Sequence, residues 1–173
     1  MGKVKKSPPV KLIVGFIFSD QSILKKAKVY LVRKYGKIDF TSQVLSFALT
    51  DYYEEEFGKS LNREFIAFKK LIDPASLAKV KIFTNKLEEK LSLGAKRLIN
   101  IDPGYLDLAK LVLATTKDFR HRIYLDKGIF AEITLFFQGK SFTSWEWSYP
   151  DYRANAYLEI FNQIRERYIQ EIR

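Results

Sequence analysis

Hydrophobic residues in this chain recur with two periods, and the switches between them mark its elements. Lys11 to Phe18 (K-L-I-V-G-F-I-F) is a nearly unbroken apolar run, the pattern of a strand covered on both faces. Ser19 and Asp20 supply caps for a helix whose apolar positions Ile23, Ala27, Tyr30 and Leu31 share one face, and Gly36 ends it. From Gln43 to Asp51 the period falls to two: Leu45, Phe47 and Leu49 on one side, Ser46, Ala48 and Thr50 on the other, with Asp51 in phase with the large apolar face. Tyr52 to Gly58 reads as an acidic loop and Arg63 to Ile72 as another strand. Asp73 and Pro74 are an N-cap and a first helical residue. Leu77, Val80, Leu87 and Leu91 face inward from the helix that follows, and Gly94 stops it. Arg97 to Ile101 is a fourth strand.

Strand, helix, strand, strand, helix, strand is the order of a ferredoxin-like βαββαβ unit. Three more strands are predicted, at Leu108 to Thr115, Phe119 to Leu125 and Ile129 to Phe137. Asp126-Lys127-Gly128 forms a hairpin loop with glycine where a positive φ is wanted, and that hairpin sets Arg122 opposite Glu132 as a cross-strand ion pair. After the aromatic loop of Trp145, Trp147 and Tyr149, a long helix follows Pro150. Its apolar stripe is Ala154, Tyr157, Leu158, Phe161, Ile164, Tyr168 and Ile172. The expected fold class is α+β: a ferredoxin-like core extended by further antiparallel strands and a long C-terminal helix, as a single sheet with helices packed on it. Residues 1–9 read as a flexible basic arm and 10–173 as one globular domain.

Composition supports a real core, at 47% hydrophobic and 15% aromatic residues, far from a disordered balance. No apolar run approaches the ~20 residues that span a bilayer, so no membrane partner is expected and the cytoplasm is the default location. The absence of cysteine removes disulfides, thiolate metal sites and cysteine nucleophiles. Few Asn, Gln and Met beside many Lys, Arg and Glu point toward a thermophilic source. The formal charge is +10. Residues 1–60 hold 11 basic and 6 acidic side chains, 61–110 hold 10 and 6, and 111–173 hold 9 and 8. The excess therefore lies in the first two-thirds and favours polyanions or phosphorylated ligands. A solvated lysine-rich surface explains it equally well.

The richest polar stretch runs from Asn100 to Arg122 and holds the only histidine. His121 shares a predicted strand face with Phe119, Ile123 and Leu125, so it reads either as a hydrogen-bonded core residue or as a general base. Asp102-Pro103-Gly104-Tyr105 reads first as a turn, and otherwise as an acid at a strand's carboxyl end, where open sheets place ligands. Thr115-Thr116-Lys117-Asp118 is a tight connection whose hydroxyls, ammonium and N–H groups can cradle an anion. Asp51 with Glu54, Glu55 and Glu56 can offer oxygens to Mg²⁺, although acidic loops are usually just solvated; no metal site is assigned and no cofactor is named. Asp151 and Arg153 suit the start of the last helix.

Three fragments look like pieces of a GTPase and fail as one. Gly58-Lys59-Ser60 lacks the glycine a phosphate loop needs five residues earlier, where Tyr53 stands. Asn85-Lys86-Leu87-Glu88 lies inside a helix and ends in Glu. Asp102-Pro103-Gly104 is one residue short and comes in the wrong order.

Together, Phe83–Glu88 (F-T-N-K-L-E), Asn100–Leu106 (N-I-D-P-G-Y-L), Thr115–Leu125 (T-T-K-D-F-R-H-R-I-Y-L) and Tyr149–Arg153 (Y-P-D-Y-R) resemble a bacterial family, domain of unknown function four-four-one-six. The resemblance spans about Pro9 to Glu171. It implies a small stand-alone bacterial protein and brings no activity with it. Members sometimes carry a GTP-binding label, which the fragments above do not support.

The sequence reading is a domain that binds an anionic phosphorylated small molecule or nucleotide, leaving open whether hydrolase or transferase chemistry follows. The expected site gathers Asp102 and His121 as catalytic groups with Tyr105, Thr116, Lys117, Arg153 and Asp51 around the ligand. Lys117 and Arg153 neutralise phosphate and the threonine hydroxyl orients it. Two alternatives stand beside it. One is an RNA-associated module using Lys25, Lys26, Lys28, Lys34, Lys69, Lys70, Lys79 and Lys81. The other is a protein-interaction domain with an apolar patch at Trp145 and Trp147. Oligomeric state is left open.

Overall fold

The computed structural model describes residues 2–47 and 61–173. Among them the chain forms one open antiparallel sheet of nine strands with three α-helices. The elements are β1 (Lys11–Phe18), α1 (Gln21–Tyr35), β2 (Ile38–Thr41), β3 (Leu45–Phe47), β4 (Leu61–Phe68), α2 (Leu77–Lys90), β5 (Ile99–Leu106), β6 (Lys110–Thr115), β7 (Arg122–Asp126), β8 (Ile129–Gln138), β9 (Ser141–Ser144) and α3 (Asn155–Glu171). The strand order is β2-β4-β1-β5-β6-β8-β7, with β3 also on β4 and β9 also on β8. Residues 2–9 carry no helix or strand.

Two apolar layers sandwich the sheet. On one side β1 and β4 send Leu12, Val14, Phe16, Ile66 and Phe68 against Leu24, Ala27 and Leu31 of α1 and Val80 and Leu87 of α2. On the other, Ile13, Phe65 and Ala67 meet Tyr157, Phe161, Ile164 and Tyr168 of α3. Alternate residues of a strand point to opposite faces, so the unbroken run of β1, buried at every position, follows from cover on both sides.

Helix ends follow the sequence in α1 and shift in α2 and α3. Asp20 accepts a hydrogen bond from the Ser22 N–H and Asp73 from Ala75. Gly36 closes α1 at φ 92°. The long C-terminal helix starts five residues later than Pro150, because Pro150–Arg153 forms a 3-10 turn first. Likewise Pro74–Ser76 is a 3-10 turn ahead of α2, and α2 ends at Lys90 with Leu91 as its cap, before Gly94.

Several strand expectations need correction. The strand expected at Gln43–Asp51 is described only as Leu45–Phe47, and its remainder lies outside the described residues. β2 and β9 were not anticipated: each has only four residues, too few to establish a period. The 63–72 strand is Leu61–Phe68. β6 starts at Lys110 and β7 at Arg122, so His121 lies in the turn before β7 rather than within it. The β7–β8 loop is two residues, Lys127 at φ 50° and Gly128 at φ 76°, the left-handed pair that tight hairpins prefer. Arg122 pairs with Glu132 as expected, Nε to Oε2 at 2.9 Å.

The correction with most consequence concerns Asp102-Pro103-Gly104-Tyr105. These residues do not turn; they run through the interior of β5. Glycine is required at 104 because a Cβ would sit 2.4 Å from the Val112 carbonyl oxygen. Pairing between β5 and β6 covers only Gly104–Leu106 with Leu111–Leu113. Before Gly104 the two strands part.

Candidate functional site

The parting of β5 and β6 opens a cleft of about 760 Å³. Sequence chemistry explains the split. The Ile101 N–H and C=O point away from β1, toward where β6 would lie. Backbone groups of alternate residues on a strand point the same way, so Pro103 also faces the gap. It has no N–H to give β6.

Side chains of α2 stand in for the missing strand. Glu88 accepts the Ile101 N–H at 2.5 Å, and the Lys81 ammonium donates to the Ile101 carbonyl at 3.2 Å. Lys81 and Glu88 are seven residues apart, two helical turns, and so share one face of α2. Both are buried. Lys81 also reaches within 3.7 Å of Asp102 Oδ1. Asp102 belongs to the α3 side of the sheet with Arg63, so the lysine of α2 reaches through the opening.

Asp102 is the centre of this cluster. Its Oδ2 accepts from Asn100 at 2.6 Å and from Arg63 at 3.4 Å. Arg63 is almost wholly buried. It donates to the Tyr152 hydroxyl at 2.6 Å and lies 4.7 Å from the Phe65 ring centre. Gly15 gives it space: a Cβ there would fall 2.9 Å from Phe65 and 3.2 Å from the guanidinium. Burial disfavours the Arg63 charge, but Tyr152, Asp102, Tyr157 and Asp151 more than compensate and hold it protonated. Burial raises the Asp151 carboxyl above its ordinary range despite Arg63. Burial likewise raises Glu88, against the pull of Lys81 and Arg97. Arg97 adds a bond to Glu88 at 3.3 Å.

The expected site residues divide. Asp102, Thr116 and Lys117 line the cleft. Thr116 and Lys117 are exposed, and the Lys117 N–H bonds Thr115 Oγ1 at 3.2 Å. Tyr105, His121 and Arg153 do not line it. Tyr105 packs with Ile82 beside Leu77 and Val112 on the α2 side. Arg153 donates to the Ser148 and Glu146 carbonyls and so braces that loop. His121 stands behind the wall: its Nε2 is 3.1 Å from Glu132 Oε2, and its ring stacks on Trp147 at 5.4 Å. Glu132 itself lines the cleft. Asp51 and the acidic run Glu54–Glu56 lie outside the described residues. Among the described residues no three His, Cys, Asp or Glu side chains gather to hold a metal.

Arg63, Lys81, Glu88, Arg97 and Asp151 line the cleft but are not among the residues expected in a small-molecule site. Their signal was charge on faces that should be apolar. Arg63 interrupts the strand L-N-R-E-F-I-A-F, and Lys81 and Glu88 fall beside the inward positions Val80 and Leu87. Lys81 is therefore not part of a basic surface. Lys28, half-buried, pairs with Glu64. Trp145 and Trp147 are half-buried and stack on each other at 4.9 Å. Exposed large apolar side chains nearby include Phe119 and Tyr149, with Ile123, Tyr124 and Leu125 on the edge strand β7.

An open antiparallel sheet of nine strands with three helices makes the chain a mixed α/β protein whose sheet is split by a charged cleft. Within that class the family described as Domain of unknown function (DUF4416) matches residues 8–168, and the chain belongs to it. Comparison with curated proteins and with solved structures finds no match. No helix of the described residues is long and apolar enough to cross a membrane.

Proposed function

We propose that this protein binds an anionic, phosphorylated small molecule or nucleotide in the cleft between β5 and β6. The observation that carries the reading is the cavity itself, about 760 Å³ in volume and walled by fixed charges. That volume falls within the range of small-molecule sites, roughly 300–1,000 Å³. Its lining holds four cations, Arg63, Lys81, Arg97 and Lys117, and five acids, Glu88, Glu89, Asp102, Glu132 and Asp151. Such a mixture suits a ligand with both an anionic group and hydrogen-bond donors, such as a nucleotide or sugar phosphate, better than a bare polyanion. Lys117, with the hydroxyls of Thr115 and Thr116, forms the phosphate end. Asn100 and Asp102 read hydroxyl or amino groups deeper in. In this reading Tyr105, His121 and Arg153 support the walls. Among the acids lining the cleft, Glu88 and Asp151 hold their protons more tightly than ordinary carboxyls because they are buried, which suits them to acid–base roles.

The test is a thermal-shift panel with ATP, GTP, AMP, glucose 6-phosphate, inorganic phosphate, Mg²⁺ and Mn²⁺, each also scored for product release. A ligand at 100 times its Kd adds about 2.7 kcal/mol of stability, a shift of several degrees for a domain of this size. A shift with one phosphorylated compound, lost in Lys117→Ala, supports the reading. No shift with any of them removes it.

The order β2-β4-β1-β5, antiparallel throughout, supports reading the first hundred residues as a ferredoxin-like unit. A second functional reading, a protein partner at the edge strand β7, is favoured by its exposed Ile123, Tyr124 and Leu125. Pull-down weakened by Ile123→Lys with unchanged cleft binding would support it.

A further inference from the structure

The charge excess has a location. α1 and α2 lie side by side on one face of the sheet and run antiparallel. Tyr30 meets the end of α2 at Lys90, whose Nζ is 4.5 Å from the ring centre. The end of α1 meets the middle of α2, where Tyr35 packs edge-on to Phe83 at 5.6 Å. Lys25, Lys26, Arg33 and Lys34 of α1 and Lys79, Lys86 and Lys90 of α2 are exposed, and so are Lys37, Lys69 and Lys70 beside the end of α1. Glu89 is the one exposed acid on those two helices, and Asp20 and Asp73 are exposed at their starts. α3, on the other face, has Glu159, Glu166 and Glu171 against Arg165 and Arg167.

Like charges this close repel, and natural helices usually intersperse acids to relieve it. Here ten exposed cations are left facing solvent on one face. Between the helices Lys26, Arg33 and Lys90 rim a shallow hollow floored by Val29, Tyr30 and Leu91. We propose that the α1–α2 face binds the phosphodiester backbone of a nucleic-acid duplex. Each helix is about 20 Å long at 1.5 Å per residue. Two side by side therefore present a basic surface about 20 Å square, comparable to the width of a duplex.

The chemistry of the face selects a duplex over the other polyanions. A face that inserts into a membrane shows large apolar or aromatic groups among its cations; among the described residues, the large apolar side chains exposed on these helices are Val29 and Val32. Single strands are held by stacking on open aromatic rings. Tyr30, Tyr35 and Phe83 are half-buried, and lysines lie over Tyr30 and Phe83. Contacts from lysine and arginine to phosphate carry no sequence information, so recognition is independent of sequence.

The test is fluorescence anisotropy of the full chain with labelled 20-base-pair RNA and DNA duplexes at 50 and 200 mM salt. Each phosphate contact contributes a loss of about 3.5-fold over that salt change. Lys26→Glu/Arg33→Glu/Lys90→Glu should weaken binding and shrink the salt-induced loss by about 40-fold. The control Lys127→Glu/Lys140→Glu/Arg173→Glu makes the same change in net charge elsewhere and should bind as the wild type does after a uniform loss from net charge. Circular dichroism and melting confirm that both triple variants are folded. The relative strength of the two duplex arms says which nucleic acid is taken. Equal effects of the two triple variants, salt-insensitive binding, tighter binding to single-stranded RNA, or binding only to phosphatidylserine vesicles would overturn the proposal. The cleft variant Lys117→Ala is expected to leave duplex binding unchanged, so this proposal and the cleft reading fail separately.

Discussion

Removing Lys81 tests how the split sheet is held. In Lys81→Met the long stem remains but the ammonium goes. The Ile101 carbonyl, served at 3.2 Å, loses a buried donor, which costs about 1–3 kcal/mol. Glu88, a buried acid, keeps only Arg97 and the Ile101 N–H as compensation. Asp102 is partly exposed and contributes less. The cost is therefore about 1–3 kcal/mol, or a fall in Tm of about 2–12 °C for a domain of this length. Glu88→Gln keeps an acceptor for the Ile101 N–H and removes a desolvated charge, so it should cost less than about 1.5 kcal/mol. Glu88→Leu removes the acceptor and should cost distinctly more. Urea unfolding followed by tryptophan fluorescence and far-ultraviolet circular dichroism measures all three, with coincident transitions as the check on two-state behaviour. Wild-type stability in Lys81→Met, or equal costs for the two Glu88 variants, would refute the idea that α2 side chains replace a strand.

Two further predictions follow from the same geometry. Gly104→Ala places a methyl 2.4 Å from the Val112 oxygen and 2.7 Å from Leu113, so it should cost at least about 2 kcal/mol, read as a drop in Tm; a neutral result would contradict the close β5–β6 approach. Glu88 and Asp151 hold protons more tightly in the folded protein than their ordinary 4.5 and 3.8 allow, so the folded state binds more protons. Their contribution to stability is fullest below those ordinary values and is lost as pH rises through the raised ones. Tm against pH in Glu88→Gln and Asp151→Asn should therefore decline less steeply above about pH 4 than in wild type, and a steeper decline would show the sign to be wrong.

Local signals in the sequence located α1, α2 and α3 through their apolar periodicity. In α1 the Asp20 cap and Gly36 end also agree, whereas a 3-10 turn moves the starts of α2 and α3. The Arg122–Glu132 pair was also legible, because a hairpin turn fixes register. Asp102-Pro103-Gly104 misled because each of those residues favours turns, yet β1 alongside holds them extended and the proline's missing N–H falls on the side that opens. The short strands β2 and β9 gave no period to read. Lys81 and Glu88 looked like ordinary helix-surface charges, and only the neighbouring strand shows that they face inward. His121 drew notice as a lone histidine, but its ring is engaged with Glu132 and Trp147. Arg63 was the most readable missed signal: a charged residue in the middle of an apolar strand needs a buried partner, and Tyr152 and Asp102 are the ones it has.

The most direct measurement of the central claim is a ¹H–¹⁵N NMR titration of the full chain with ATP, GTP, AMP and glucose 6-phosphate in turn. The account predicts that one of these phosphorylated compounds shifts amides of residues 97–102, 113–117 and 149–152, around the opening between β5 and β6. Unmoved signals there with all four compounds, or shifts confined to α1 and α2, would contradict it.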